Sequence, residues 1–233
     1  MSIVLIYLAA LGVPSAWWLS RQRLASKPWL EAGPISVLPS ASPPVSAAKI
    51  GIAVLLAVIG LLFALLIAAY TMRVPPETWG AAPDPGLLWL TTALLALGSV
   101  ALHAAKRSAA RHERDGVILS LLAAGVATLG FIGGQALAWR QLAASGAGSA
   151  ADAASAFFYL ITALHALHLA GGLVALGATT ARSLSATDTG GERFGIDLCA
   201  LYWDALLAIW LILFGVLFRT PWSGWIYALC RPA

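Results

Sequence analysis

The chain has 233 residues, 60% of them apolar and 10% charged. A water-soluble domain carries about 25% charged residues, so a soluble globular fold is excluded. Fourteen Lys and Arg against ten Asp and Glu give a formal charge of +4, but no basic patch with interleaved aromatic residues accompanies it, and nucleic acid is not a predicted partner.

Six apolar runs approach or reach the roughly 20 residues that cross ~30 Å of hydrocarbon as a helix. They are Ile3 to Leu19, Ile50 to Met72, Leu87 to Ala105, Val117 to Ala138, Ala154 to Ala178 and Leu198 to Phe218. None alternates polar with apolar as a membrane strand would, so the predicted fold is all-α, a polytopic transmembrane bundle of six helices. The first run contains Pro14 and ends near Trp17 and Trp18. It lacks the basic start of a signal peptide, and residues 1–20 are predicted to be a retained helix.

Residues 21–48 include "SKPWLEAGPISVLPSASPPVSAA", whose prolines and serines predict a linker lying along or outside the bundle. A five-helix bundle is predicted over 49–219, with the Pro-rich outer loop "VPPETWGAAPDPG" between its first two helices, and a tail over 220–233. Lys and Arg set the orientation. The loops at 20–49, 106–116 and 179–197 hold ten, from Arg21 to Arg193, whereas the other side holds four, Arg73, Arg140, Arg219 and Arg231. The excess places those loops in the cytoplasm and both termini outside. Cys199 and Cys230 then fall about a membrane thickness apart, too far for a disulfide.

Several polar or small residues stand out within the spans. "FFYLITALHALHLAGG" places His165 and His168 on one helix face with no neighbouring charge, ~16 to 21 Å from Ala154 and so near the midplane. Three roles suit them: metal or haem ligation, for which no further ligand cluster is visible; a proton relay, which lacks a carboxylate at that depth; or neutral imidazoles hydrogen-bonded within the bundle, for example to Thr162, or facing a partner or lipid. Asp204, ~9 Å into its span from Leu198, must be paired, protonated or solvated, and His103 is the candidate partner within the chain. Gly130 and Gly134 form a Gly-x-x-x-Gly pair beside Gly133, and Gly171 and Gly172 follow His168. Both sets suit close helix approach.

Five segments together resemble a known family. "FFYLITALHALHLAGGLVALG" is similar to the penultimate helix of subunit III of haem-copper cytochrome c oxidases, with its Phe-Phe, Thr and His-x-x-His-x-x-x-Gly order. "LYWDALLAIWLILF" resembles the last helix of that family through Tyr202, Trp203 and Trp210, and "GFIGGQALAW" its Phe-x-Gly-x-Gln segment through Gln135. "PDPGLLWLTTALLALGSVALHAA" and "LLFALLIAAYTMR" resemble two further helices. The matches run in family order from Lys49 to Phe218. The departures are an apolar residue at or near Ile59 and at Ala138, where the family carries glutamates, Thr91 for Asn, Asp204 for the usual His, and Leu207 for an aspartate. Family polar contacts through those groups do not carry over.

The resemblance implies a non-redox subunit with no catalytic residue, cofactor or metal of its own, in a complex whose partner subunits hold the haem and copper. It would pack on subunit I, with subunit II and small subunits nearby, bind phospholipid between its helices, and support proton uptake and stability during turnover in a bacterial-type inner membrane. His165, His168, Asp204, Tyr202, Trp203, Trp210, Gln135 and His103 are then candidates for structural, lipid or subunit contacts. A subunit III-like part of a quinol oxidase or nitric-oxide reductase is the related alternative. A small transporter is the unrelated one, although no repeat symmetry or broken helix argues for it.

Overall fold

A computed structural model describes residues 47–74, 85–144, 153–185 and 189–218, all within one compact unit, Ser46–Gly224. Five helices make it up: α1 (Ala47–Arg73), α2 (Pro85–Ala110), α3 (Arg114–Ala144), α4 (Ala153–Ser185) and α5 (Thr189–Phe218). Each contains a stretch long and apolar enough to cross a membrane. Helices suit such sequences because they satisfy every interior backbone group within the segment. The predicted N-terminal helix, the linker up to residue 46 and the tail from 220 lie outside the described residues, so the described bundle has five helices where the sequence predicted six for the whole chain.

The helices are longer than the apolar runs, chiefly at one end, and this corrects the predicted loops at 106–116 and 179–197. α2 continues to Ala110, α3 begins at Arg114, α4 runs to Ser185 and α5 begins at Thr189. Polar residues continue these helices because they find partners there. Lys106 and Asp197 pair at 3.1 Å, and Arg114 donates to the terminal carbonyls of α4, Leu184 O at 2.6 Å and Ser183 O at 3.3 Å. That contact satisfies acceptors a helix end leaves open and sets a cation at the negative pole of the dipole. This end, which also holds Arg107, Arg111, Arg182 and Arg193, is called the basic end below.

The turn between α2 and α3 closes in three residues. Glu113 N donates to Ser108 O at 3.0 Å and His112 N to Ala109 O at 3.3 Å, the paired bonds of a Schellman ending. His112 takes the left-handed position, with φ 60°, where glycine is usual. The Arg193 guanidinium reaches its ring at 3.0 Å. So short a turn forces α2 and α3 to run back to back, and small residues let them close. A Cβ added at Gly134 would collide with Thr91 Cγ2, and one at Gly130 would lie 3.2 Å from Leu94 Cδ1. The Gly-x-x-x-Gly pair therefore faces α2, as its spacing suggested, while a Cβ on Gly133 would meet nothing within 4 Å.

α5 is the hub. It packs against α1, α2 and α4 and reaches α3 through Trp203. Half of its most apolar stretch is buried, 50% against 11% for α1. Cys199 is buried as a free thiol beside Thr179, and Cys230 lies outside the described residues.

Candidate functional site

Consecutive residues on α5 point about 100° apart, so Tyr202, Trp203 and Asp204 can address three neighbours at one level. Tyr202 Oη donates to the His168 backbone carbonyl on α4 at 2.9 Å. Trp203, fully buried, donates its indole N–H to Thr128 Oγ1 on α3 at 3.0 Å. Asp204 turns to α2. This close seating of two rings on α4 requires Gly172, where an added Cβ would lie 2.8 Å from Tyr202 and 3.0 Å from Trp203. Gly171 has open space instead.

Asp204 receives His103 Nε2–H on Oδ2 at 3.0 Å, and Ser99 Oγ donates to Oδ1. The pairing with His103 expected from the sequence is therefore present, and Ser99 adds a donor that sequence reasoning missed. Its position four residues before His103, on the same helix face, was the available signal. Asp204 is ~16 Å along the helix from Arg193, close to the middle of the 25-residue span Arg193–Leu217. It is also on the periphery, with side chains 43% (His103) and 39% (Asp204) exposed.

The α2–α5 seam continues in both directions. Toward the basic end Lys106 meets Asp197, and away from it the Trp210 indole N–H donates to Thr92 Oγ1 at 2.9 Å. The α2 partners at 92, 99 and 106 are seven residues apart, as are 197 and 204 on α5. Two turns return to nearly the same face, so this is one polar stripe.

The histidine pair separates into two environments. His165 is wholly buried among rings. It lies near-parallel to Trp210, with centroids 5.1 Å apart and planes at 30°, and meets the Phe63 and Phe131 rings at 6.0 and 5.7 Å. Neither of its ring nitrogens has a hydrogen-bond partner among the described residues. His168 is less buried. Its Nδ1–H donates to Leu164 O at 2.7 Å within α4, and Phe63 packs on its ring at 5.7 Å. Because a carbonyl only accepts, that bond puts the proton on Nδ1.

The suggested His–Thr162 bond is not formed. Thr162 Oγ1 donates to Phe158 O at 2.6 Å and accepts the Trp139 indole N–H at 3.0 Å. Trp139 ties α3 to α4 a second time, since Tyr159 Oη donates to its carbonyl at 3.2 Å. Gln135, one turn from Trp139 on α3, is fully buried, and neither its amide nitrogen nor its oxygen has a partner among the described residues. Ile59 and Ala138, two of the departures noted above, are buried core positions.

Among the described residues no three His, Cys, Asp or Glu side chains gather as a metal site. The arrangement is suited to fastening helices. Donors on bulky α5 rings meet Thr hydroxyls that are themselves bonded to carbonyls four residues back, Thr128 to Ala124 O and Thr92 to Leu88 O. Each hydroxyl thus uses its proton locally and offers a lone pair across the helix interface.

Comparison with known proteins agrees with this architecture. Residues 50–223 match the family described as cytochrome c oxidase subunit III. Among curated proteins, the chain is similar to the probable cytochrome c oxidase subunit 3 of Mycobacterium tuberculosis and that of Mycobacterium bovis. Each is 31% identical over 88 residues, or 38% of this chain and 43% of the relative. The chain thus spans less than half the length of the curated relatives it matches.

Proposed function

The chain belongs to the cytochrome c oxidase subunit III family, and on that premise we propose that it is a non-redox integral subunit of a haem-copper terminal oxidase, packed on the catalytic subunit I, with subunit II and small subunits in the same complex. Electron transfer and oxygen reduction belong to partners that hold the haem and copper. This chain contributes a rigid helical body that binds phospholipid at its surface and supports proton uptake and the stability of the catalytic subunit during turnover. The complex resides in a bacterial-type inner membrane, with the basic end of the bundle in the cytoplasm and both termini outside.

The observation that carries this reading is the family match over residues 50–223, which takes in all five described spans except the first three residues of α1. The periphery supports a division of labour between its faces. Polar side chains near the middle of a span are costly against hydrocarbon, so the half-exposed His103–Asp204 face favours a protein neighbour. The exposed Val54, Val58, Leu65 and Met72 of α1 suit acyl chains. The deciding experiment is mild-detergent purification of the tagged full chain with identification of the chains that accompany it. A haem-copper catalytic subunit in stoichiometric amount is the expected result. Isolation with another membrane complex, or alone under conditions that preserve oxidase activity, would refute the assignment.

A further inference from the structure

The facing sides of α3 and α4 carry three buried polar side chains, Gln135, Thr162 and His165. On α3, residues 131, 135 and 139 are spaced one turn apart and share a face. Phe131 touches the His165 ring, with centroids 5.7 Å apart, and Trp139 bonds to Thr162 at 3.0 Å. Gln135 lies between them, so it faces α4 over the single turn from Thr162 to His165.

Gln135, Thr162 and His165 are all fully buried. The first and last bring four side-chain polar atoms with no partner among the described residues, and Thr162 Oγ1, whose proton goes to the Phe158 and Tyr159 carbonyls, retains one acceptor position after accepting from Trp139. Buried polar groups are paired in the great majority of proteins, and a site with several convergent groups is where an internal water is found.

We propose that Gln135, His165 and Thr162 form a buried hydration site that holds an ordered water molecule between α3 and α4. A water carries two donors and two acceptors, enough to reach Gln135, a ring nitrogen of His165 and the remaining lone pair of Thr162. A metal ion is disfavoured by the donor set, which contains one imidazole and no thiolate or carboxylate. The water would fix the rotamer of His165 against Trp210 and tie α3 to α4 one turn from the Trp139–Thr162 bond. This inference concerns the interior of one chain and does not rest on the oxidase assignment.

The test is an experimental structure of the full chain, in whatever complex it purifies with, at a resolution that shows ordered solvent. Density within about 2.7–3.2 Å of both the Gln135 carboxamide and a His165 ring nitrogen is expected, and its loss is expected in Gln135→Met, a change of similar size. A dry contact between the two side chains, or either one bonded to another protein group with no solvent between, overturns the proposal. If Gln135→Met does not assemble, the wild-type density decides by itself.

Discussion

α1 and α5 invert the rule that the most apolar segment is the most buried. α1 is the most apolar of the five spans, yet only 11% of its most apolar stretch is buried, whereas α5, with Asp197, Asp204, Tyr202, Trp203 and Trp210, buries 50%. In water this would be a contradiction. Where acyl chains are as apolar as leucine, hydrophobicity gives helices no reason to prefer one another to lipid, and association is left to shape and hydrogen bonding. α5 supplies both: rings seated on glycine, indole donors to threonine, and a carboxylate shared by Ser99 and His103. α1 meets α4 through Phe63 and Tyr70, which lie against His165, His168 and Phe157.

The comparison would break if the two helices responded alike to substitution. Trp210→Ala should have the largest effect. It removes a fully buried ring that touches Phe131 and His165 and bonds to Thr92, a change that costs about 3–5 kcal/mol. In detergent it should greatly lower the midpoint of thermal unfolding or prevent accumulation of the protein. A midpoint close to wild type would show that α5 is not the hub. Gly172→Leu should follow, at about 1–3 kcal/mol for overpacking, because Tyr202 and Trp203 occupy the space its side chain needs. Gly171→Leu, one residue away in open space, is the matched control and should be tolerated.

Two smaller effects sharpen the polar part of the contrast. His103→Leu and Asp204→Asn should be non-additive, with a coupling of at least about 0.6 kcal/mol, the average for hydrogen bonds between membrane helices. Additive changes in thermal midpoint would mean that the pair contributes nothing to holding α2 on α5. Trp203→Phe keeps most of the ring but loses the donor to Thr128 and should cost about 1 kcal/mol, with Thr128→Val giving a similar loss and little further effect in the double variant. The smallest change belongs to α1. Val58→Ala or Leu65→Ala, both on its exposed side, should shift stability by less than about 0.5 kcal/mol.

The five described spans, the family and His103 as a candidate partner for Asp204 could all be read from residue order. Apolar run length is a local property, and a carboxylate within a membrane-length span announces its need for a donor wherever it lies. The stripe through 92, 99 and 106 was also open to inspection, since seven-residue spacing is visible in the chain, but Ser and Thr are too common in membrane helices for such a spacing to stand out unaided. The loops at 106–116 and 179–197 were misjudged because the end of an apolar run was taken as the end of a helix. Lys106, Arg114 and Asp197 extend the helices by finding partners on other segments, which no local window contains.

What residue order determined about this protein is the set of segments that must be helical and span a membrane, because backbone satisfaction in hydrocarbon depends only on the segment itself. Only the tertiary structure decided which faces meet. It placed His165 in a cage of rings while His168, one turn away, bonds to its own helix, and it made Gly134 and Gly172 contact points while leaving Gly133 and Gly171 open. Spacing assigns neighbouring residues nearly equivalent positions. The rotation of each helix, set by the fit of α5 rings against α3 and α4, distinguishes them.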